Sequence, residues 1–304
     1  MFVRIFIPRY LTSTPAYNPI NKTFSGDKDD QIIPQSPNNV AGFAVYITLA
    51  VTATMSLLPT YGVLVPALYA FLLYGLRFAL FASLAFHLSD PSRPQPHGRP
   101  HIDRPPKFQL NPNLRRELGQ SALTLLIFAA VNAILYGYGL MHASRLYFKL
   151  IEFPVWWFWA SIPVMLALHD TLFYWLHRVM HSRLLFAKVH RQHHESVYPT
   201  AFAAYSFGWI EALAEALIVT AIIFIIPVHP LAFLIFQTLS TAYNVYGHCG
   251  REFYPESVSR HWAGRWMNTS SLHAYHHRHG RGNYSFYFTF WDRVMGTLVP
   301  TAQK

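Results

Sequence analysis

The chain has 304 residues, a formal net charge of +10, an apolar share of 52 % and a charged share of only 12 %. A charged share about half the usual one excludes an ordinary soluble domain. The basic residues lie in loops between apolar runs, the pattern of a cytosolic membrane face rather than of a nucleic-acid binder.

Residues 1–39 contain many Pro, Asn, Asp and Ser and read as a polar N-terminal tail. MFVRIFIPRYL at the start is short, carries two arginines and runs into polar sequence, so no cleavable signal is expected. Residues 40–58 are an uncharged apolar run that predicts a first membrane span, broken by Pro59 and Thr60. A second run, 61–86, includes Arg77, which must snorkel or pair inside the protein. Residues 87–120 form a Pro-rich basic linker; His87, His97 and His101 in it lack helical spacing and are not expected to bind metal. A third span is predicted over 121–141 and a fourth over 154–176, with Trp156, Trp157 and Trp159 placed for an interfacial aromatic belt. Two further apolar runs, 201–226 and 231–247, read as a full hairpin or as half-depth helices. From Cys249, the single cysteine, the chain turns polar and aromatic. An even number of crossings places the N-terminus, the linker and every histidine-rich segment on one side. The expected fold is therefore an all-α integral membrane protein with a histidine-rich cytosolic helical cap. Its domains are the tail 1–39, helices and linker 40–153, and a catalytic domain 154–304.

The histidines organise the rest. His177 and His181 stand four apart; His190, His193 and His194 stand at i, i+3 and i+4; His273, His276 and His277 repeat that pattern. Residues three and four apart share a helix face, so each group aims imidazoles at one spot. A single packed histidine is ordinary, but three such groups predict a metal site. A structural zinc site takes four ligands, so eight or nine histidines predict two ions. Imidazole suits iron, zinc, copper and nickel alike, and spacing does not choose between them.

The three groups resemble the HxxxH, HxxHH and HxxHH boxes of the fatty acid hydroxylase/sterol desaturase superfamily of membrane di-iron oxidoreductases. FYWLHRVMH, HHESVYPTAF, NVYGHCGREFYP and NYSFYFTFWDRVMGT extend the likeness over roughly 163–299. One departure is Ser285, where many members have glycine. The resemblance implies a di-iron centre on His177, His181, His190, His193, His194, His273, His276 and His277, and His248 is a ninth candidate ligand. It implies an oxidoreductase that uses O2 and two electrons to hydroxylate or desaturate a hydrophobic lipid, with a lean towards hydroxylation. No dinucleotide or haem segment is visible, so the electrons are expected from a separate partner, and the resemblance implies cytochrome b5 and its reductase or an equivalent donor. The location implied is the endoplasmic reticulum, with the centre facing the cytosol. A polytopic histidine-rich metal transporter is the alternative, although transporter ligands usually lie near the membrane midplane. A metalloprotease is disfavoured because HHESV does not complete HExxH.

Other residues carry weaker expectations. His169 lies about 12 Å up the helix from His177 and off its face, and pairing with Asp170 explains both. His279 reads as part of a polar loop, and His142, His229 and His261 lack partners. Asn244 precedes His248 by one turn and either nears a metal or makes an interhelical hydrogen bond. Asp170, Glu211, Glu215 and Asp292 are candidates to orient the ligating rings.

Overall fold

The computed structural model describes residues 62–90, 112–255, 257–258 and 261–300. The predicted span at 40–58, the tail and most of the basic linker lie outside them. Contacts divide the chain into Met1–Leu49 and Ala50–Lys304, and every described residue belongs to the second unit. The described residues are helical, with strand pairing only at two isolated bridges, Leu146–Val228 and Met267–Phe288.

Helix α1 (Leu64–Leu88) carries leucine at every fourth position, and Leu64, Leu68, Leu72, Leu76, Leu80 and Leu84 are all exposed. Such a row, stepping about 40° per leucine and so winding round about half the helix, suits hydrocarbon and not water. Helix α2 (Pro112–Gly137) begins on a proline, whose missing N–H costs nothing in a first turn. Leu64–Leu88 and Asn113–Gly137 are long and apolar enough to cross a bilayer. Only 22 % and 28 % of their most apolar windows is buried inside the protein, so most of each faces outward. Arg77 pairs rather than snorkels: its Nη2 donates to Gln237 Oε1 at 2.9 Å.

Helix α3 (Val155–Met180) extends beyond the expected span and carries His177 in its last turn. The segment after it opens with a wide π-turn, Phe186–His190, followed by the short α4 (Arg191–His194). The apolar run 201–226 is helical only in part, because a 3-10 turn (Ala201–Tyr205) precedes α5 (Trp209–Ile225). Helix α6 (Pro230–His248) ends on a histidine, and α7 (Ser270–His279) holds the third box. The short α8 (Phe290–Val294) closes the described fold.

Two apolar clusters fix this framework. Phe78, Leu125, Ala204, Tyr205 and Val245 join α1, α2 and α6 around the 201–205 turn. Phe158, Met165, Ile222 and Phe236 join α3, α5 and α6. The helix ends then converge. Helix α3 carries His177 in its last turn, α5 begins beside Glu211, and α6 ends at His248. Arg251 Nη1 donates to Leu88 O at the end of α1, and Ser196 Oγ donates at 2.8 Å to Glu117 near the start of α2. All five long helices thus present one end to the same histidine-rich region.

Candidate metal centre

Nine buried or half-buried histidines sort into two groups: His177, His181, His190, His194 and His276 in one, and His193, His248, His273 and His277 in the other. Within each group the ligand atoms lie within 4.8 Å of one another. These are the nine positions singled out in the sequence, and the partition cuts across the boxes. At about 100° per residue, positions i and i+4 lie about 40° apart, while i+3 falls on the other side of i. His190 and His194 therefore face the first group and His193 the second. His273 and His277 face the second group and His276 the first. Each HxxHH box feeds both groups, which ties the two together.

Local sequence explains how the boxes are presented. Thr269 Oγ1 accepts from Leu272 N at 3.2 Å and caps the start of α7. Gly280, with φ at 64°, stops the helix in the left-handed region just beyond the box. Two residues on, the Gly282 carbonyl accepts from His276 Nδ1 at 2.7 Å. A Cβ on Gly282 would sit 2.7 Å from Thr297 O, and its φ is 70°, so glycine is required twice over.

The hydrogen bonds settle the tautomers. His177 Nδ1 lies 2.8 Å from Tyr284 O, His193 Nδ1 3.2 Å from Ser206 O, and His248 Nδ1 2.8 Å from Asn244 O. A carbonyl only accepts, so each of these nitrogens carries the proton and leaves Nε2 bare. His190 Nδ1 meets Glu211 Oε1 at 2.7 Å. Desolvation by burial, with the neighbouring rings adding to it, holds His190, His193, His273, His276 and His277 well below the usual histidine range. Burial also pushes His194 down to about 4. Neutral rings with exposed lone pairs are what a metal ligand set requires.

The Nε2 atoms face one another. His177 and His190 bring their Nε2 atoms to 3.0 Å, and His194 Nε2 lies 3.1 Å from both His181 Nε2 and His276 Nε2. In the second group His273–His248, His248–His193 and His277–His273 have Nε2 separations of 3.0, 3.2 and 3.2 Å. Where both rings carry their proton on Nδ1, as His193 and His248 do, two lone pairs at that distance repel unless a cation lies between them. Ligands about 2.1 Å from a common ion would be about 3.0 Å apart at right angles and about 3.4 Å apart in a tetrahedron. The observed edges fall in that interval, so both groups fit a metal ion by geometry and by donor chemistry.

A cavity of about 480 Å³, counting space open to the exterior, adjoins both groups. His177, His190, His193, His248 and His273 reach it, and Phe173, Phe207 and Phe286 supply apolar wall. Glu211 and Ser285 add polar atoms.

The remaining candidates divide. Glu211 does touch a clustered ring, whereas Glu215 is buried one turn further along α5. Asp292 acts at one remove, its Oδ1 accepting from Tyr284 N at 2.9 Å and its Oδ2 from Ser285 N at 2.9 Å. Asn244 Nδ2 donates to Ala204 O at 2.7 Å, so it makes a cross-link between segments while also lining the cavity. His169 belongs to neither group. It does not bond Asp170: its Nδ1 meets Tyr287 Oη at 2.9 Å, while Asp170 Oδ1 accepts from the amides of 286, 287 and 288. His279 falls in the last turn of α7 and is exposed. His229 caps α6, His261 accepts from Ala263 N, and His142 is exposed. The carbonyls of Ser206, Gly282 and Tyr284, which fix three rings, have no side-chain signature, and spacing alone could not find them.

Residues 162–297 match the family model described as fatty acid hydroxylase. The chain is 28 % identical over 227 residues to Delta(7)-sterol 5(6)-desaturase erg3B of Aspergillus fumigatus, covering 73 % of this chain and 62 % of that protein. It is 32 % identical over 157 residues to lathosterol oxidase of Rattus norvegicus, covering 51 % of each. Against Delta(7)-sterol 5(6)-desaturase erg32 of Schizosaccharomyces pombe the identity is 27 % over 236 residues, covering 75 % of this chain and 65 % of that protein. The matches thus span about half to two thirds of these relatives. No solved structure matches the chain.

Proposed function

This chain belongs to the fatty acid hydroxylase/sterol desaturase superfamily, and we propose that it is a membrane-bound non-haem iron oxidoreductase acting on a sterol-type lipid. The nine clustered histidines are its ligands, five to one iron ion and four to a second. The observation that carries the reading is the pairing of Nε2 atoms about 3 Å apart around two separate points. Bound iron supplies the redox chemistry that activates O2 towards an unactivated C–H bond, which zinc, fixed in one oxidation state, does not. The relatives' names favour desaturation, which the histidine boxes alone do not separate from hydroxylation.

The chain's own residues do the positioning. Tyr284 O, Ser206 O, Asn244 O and Glu211 hold the ligating rings in one tautomer and one orientation. Phe173, Phe207 and Phe286 keep the cavity wall apolar, which suits a hydrocarbon segment and excludes water from the reacting region. Desaturation consumes O2, two electrons and two protons, and releases the alkene and two waters. The electrons come from an external carrier such as cytochrome b5 with its reductase. Arg183, Lys188 and Arg191 are exposed beside the second box and would steer an acidic carrier. The location is the endoplasmic reticulum, with the histidine end towards the cytosol.

The test is metal content joined to turnover. Purified, iron-supplied protein should hold two irons per chain and, with carrier and reductase, convert lathosterol to a product with one further double bond. His248→Ala should lower the content towards one iron and abolish turnover. A wild-type content of one ion, or a protein that moves metal across a vesicle wall without oxidising the carrier, would sink the proposal.

A further inference from the structure

Ser285 is 1 % exposed, yet its hydroxyl has no hydrogen-bond partner. A buried hydroxyl left unpaired is destabilising, and in a native structure it calls for an explanation. Its surroundings supply one. The backbone of Ser285 is held from both sides: its N–H donates to Asp292 Oδ2 at 2.9 Å, and its carbonyl accepts from Asn268 Nδ2 at 2.7 Å. The preceding carbonyl, Tyr284 O, is the one that accepts from His177 Nδ1. The Cβ of Ser285 is therefore fixed relative to the first histidine group, and its hydroxyl keeps only rotation about one bond. Ser285 also lines the cavity reached by both groups. The same cavity contains one other buried side-chain atom without a partner, the acceptor Glu211 Oε2. Elsewhere its wall is largely aromatic and histidine. An occupant that is all hydrocarbon would leave both polar atoms unpaired, whereas an alcohol can accept from one and donate to the other.

We propose that Ser285 determines specificity by hydrogen-bonding an alcohol group that the lipid carries close to its reacting carbons. This rests on the reading of the cavity as a sterol-type site. A sterol fits the requirement, because its C3 hydroxyl is a short way round the ring from C5, one of the carbons named in the relatives' 5(6) activity. Ser285 thus orients the substrate through its own functional group, while the histidines act on the neighbouring carbons.

The experiment is equilibrium binding to the iron-loaded full chain in phosphatidylcholine nanodiscs, with lathosterol and its 3-deoxy analogue as probes. Wild type should bind lathosterol roughly tenfold more tightly, the worth of one neutral hydrogen bond. Ser285→Ala and Ser285→Gly should each remove the preference by weakening lathosterol alone, with the deoxy analogue bound as before. Iron content, read on the same samples, should stay at the wild-type value and shows that both variants are folded. If wild type binds both probes equally, or if the folded variants keep the preference, Ser285 has no such role and the sterol reading stands. If wild type binds neither probe, the sterol reading itself falls, and the Ser285 proposal falls with it.

Discussion

Glu211 accepts from His190 Nδ1 at 2.7 Å, and its other oxygen has no partner. A carboxylate behind a ligating ring fixes the tautomer and raises the ring's basicity. Glu211→Leu should therefore lower metal affinity about 10–100-fold, and Glu211→Gln by less, because the amide oxygen still accepts. Titration of the metal-free protein with ferrous ion measures this; a wild-type affinity in Glu211→Leu would show that the contact is only structural. The buried rings also make a pH prediction. His194 is held at about 4, well under its ordinary value of 6.5. Between those values the unfolded chain takes up a proton that the folded chain refuses, so stability is present above pH 6.5 and is lost as the pH falls towards 4. The slope approaches about 1.4 kcal/mol per pH unit for one such group. Melting of the metal-free protein at pH 7 and pH 5 should show the decline. The two histidine clusters were legible because the spacing of the boxes is a geometric statement. Glu211 was visible only as one of four acids, since sequence does not say which acid faces which ring.

At the scale of elements, two buried carboxylates hold the C-terminal segment against the histidine boxes. Asp170 on α3 accepts three successive amides, from Phe286, Tyr287 and Phe288. Asp292 on α8 accepts from Tyr284 N, Ser285 N and Thr297 Oγ1. The segment between them carries the carbonyl that orients His177, so these acids set ring geometry without touching a ring. Asp292→Asn replaces one acceptor oxygen with a donor that faces an N–H. It should cost about 1–3 kcal/mol, read as a lower melting temperature, while the folded fraction still binds its full complement of metal. Direct loss of one ion with stability unchanged would instead make Asp292 a ligand. Helix identity was largely legible: α1, α2, α3 and α6 follow apolar runs bounded by proline, glycine or charge. The misses have physical causes. The 201–226 run is apolar from its start, but hydrophobicity alone does not distinguish the packed 3-10 turn at Ala201–Tyr205 from a helix. The π-turn before the second box is likewise invisible, because a wide turn has no residue signature.

At the scale of the molecule, the convergence of helix ends fixes which loops share a side. Helix α1 ends beside Arg251, and α2 begins beside Ser196, each within three residues of a clustered histidine. The basic linker that joins these two helices must then start and finish at the histidine end, whatever path it takes between. The opposite ends carry Tyr138 after α2 and Ile151 before α3, which are 80 % and 91 % exposed. The charge pattern in the sequence pointed to the same sidedness, since Lys and Arg gather where loops face the cytosol. Packing puts the end of α1 and the start of α2 at the histidine end independently of charge. The count of crossings is a different matter, because the first expected span, 40–58, lies outside the described residues. Single cysteines probed in sealed vesicles with a membrane-impermeant maleimide test the arrangement, and the native Cys249 is buried and should stay silent. Gly98→Cys in the linker and Ala187→Cys beside the second box should react from one side of the membrane. Tyr138→Cys should react only from the other, or only after the vesicles are opened. If Gly98→Cys and Tyr138→Cys share a side, α1 and α2 do not both cross. The leucine stripe of α1 would then have to lie against something other than bilayer hydrocarbon.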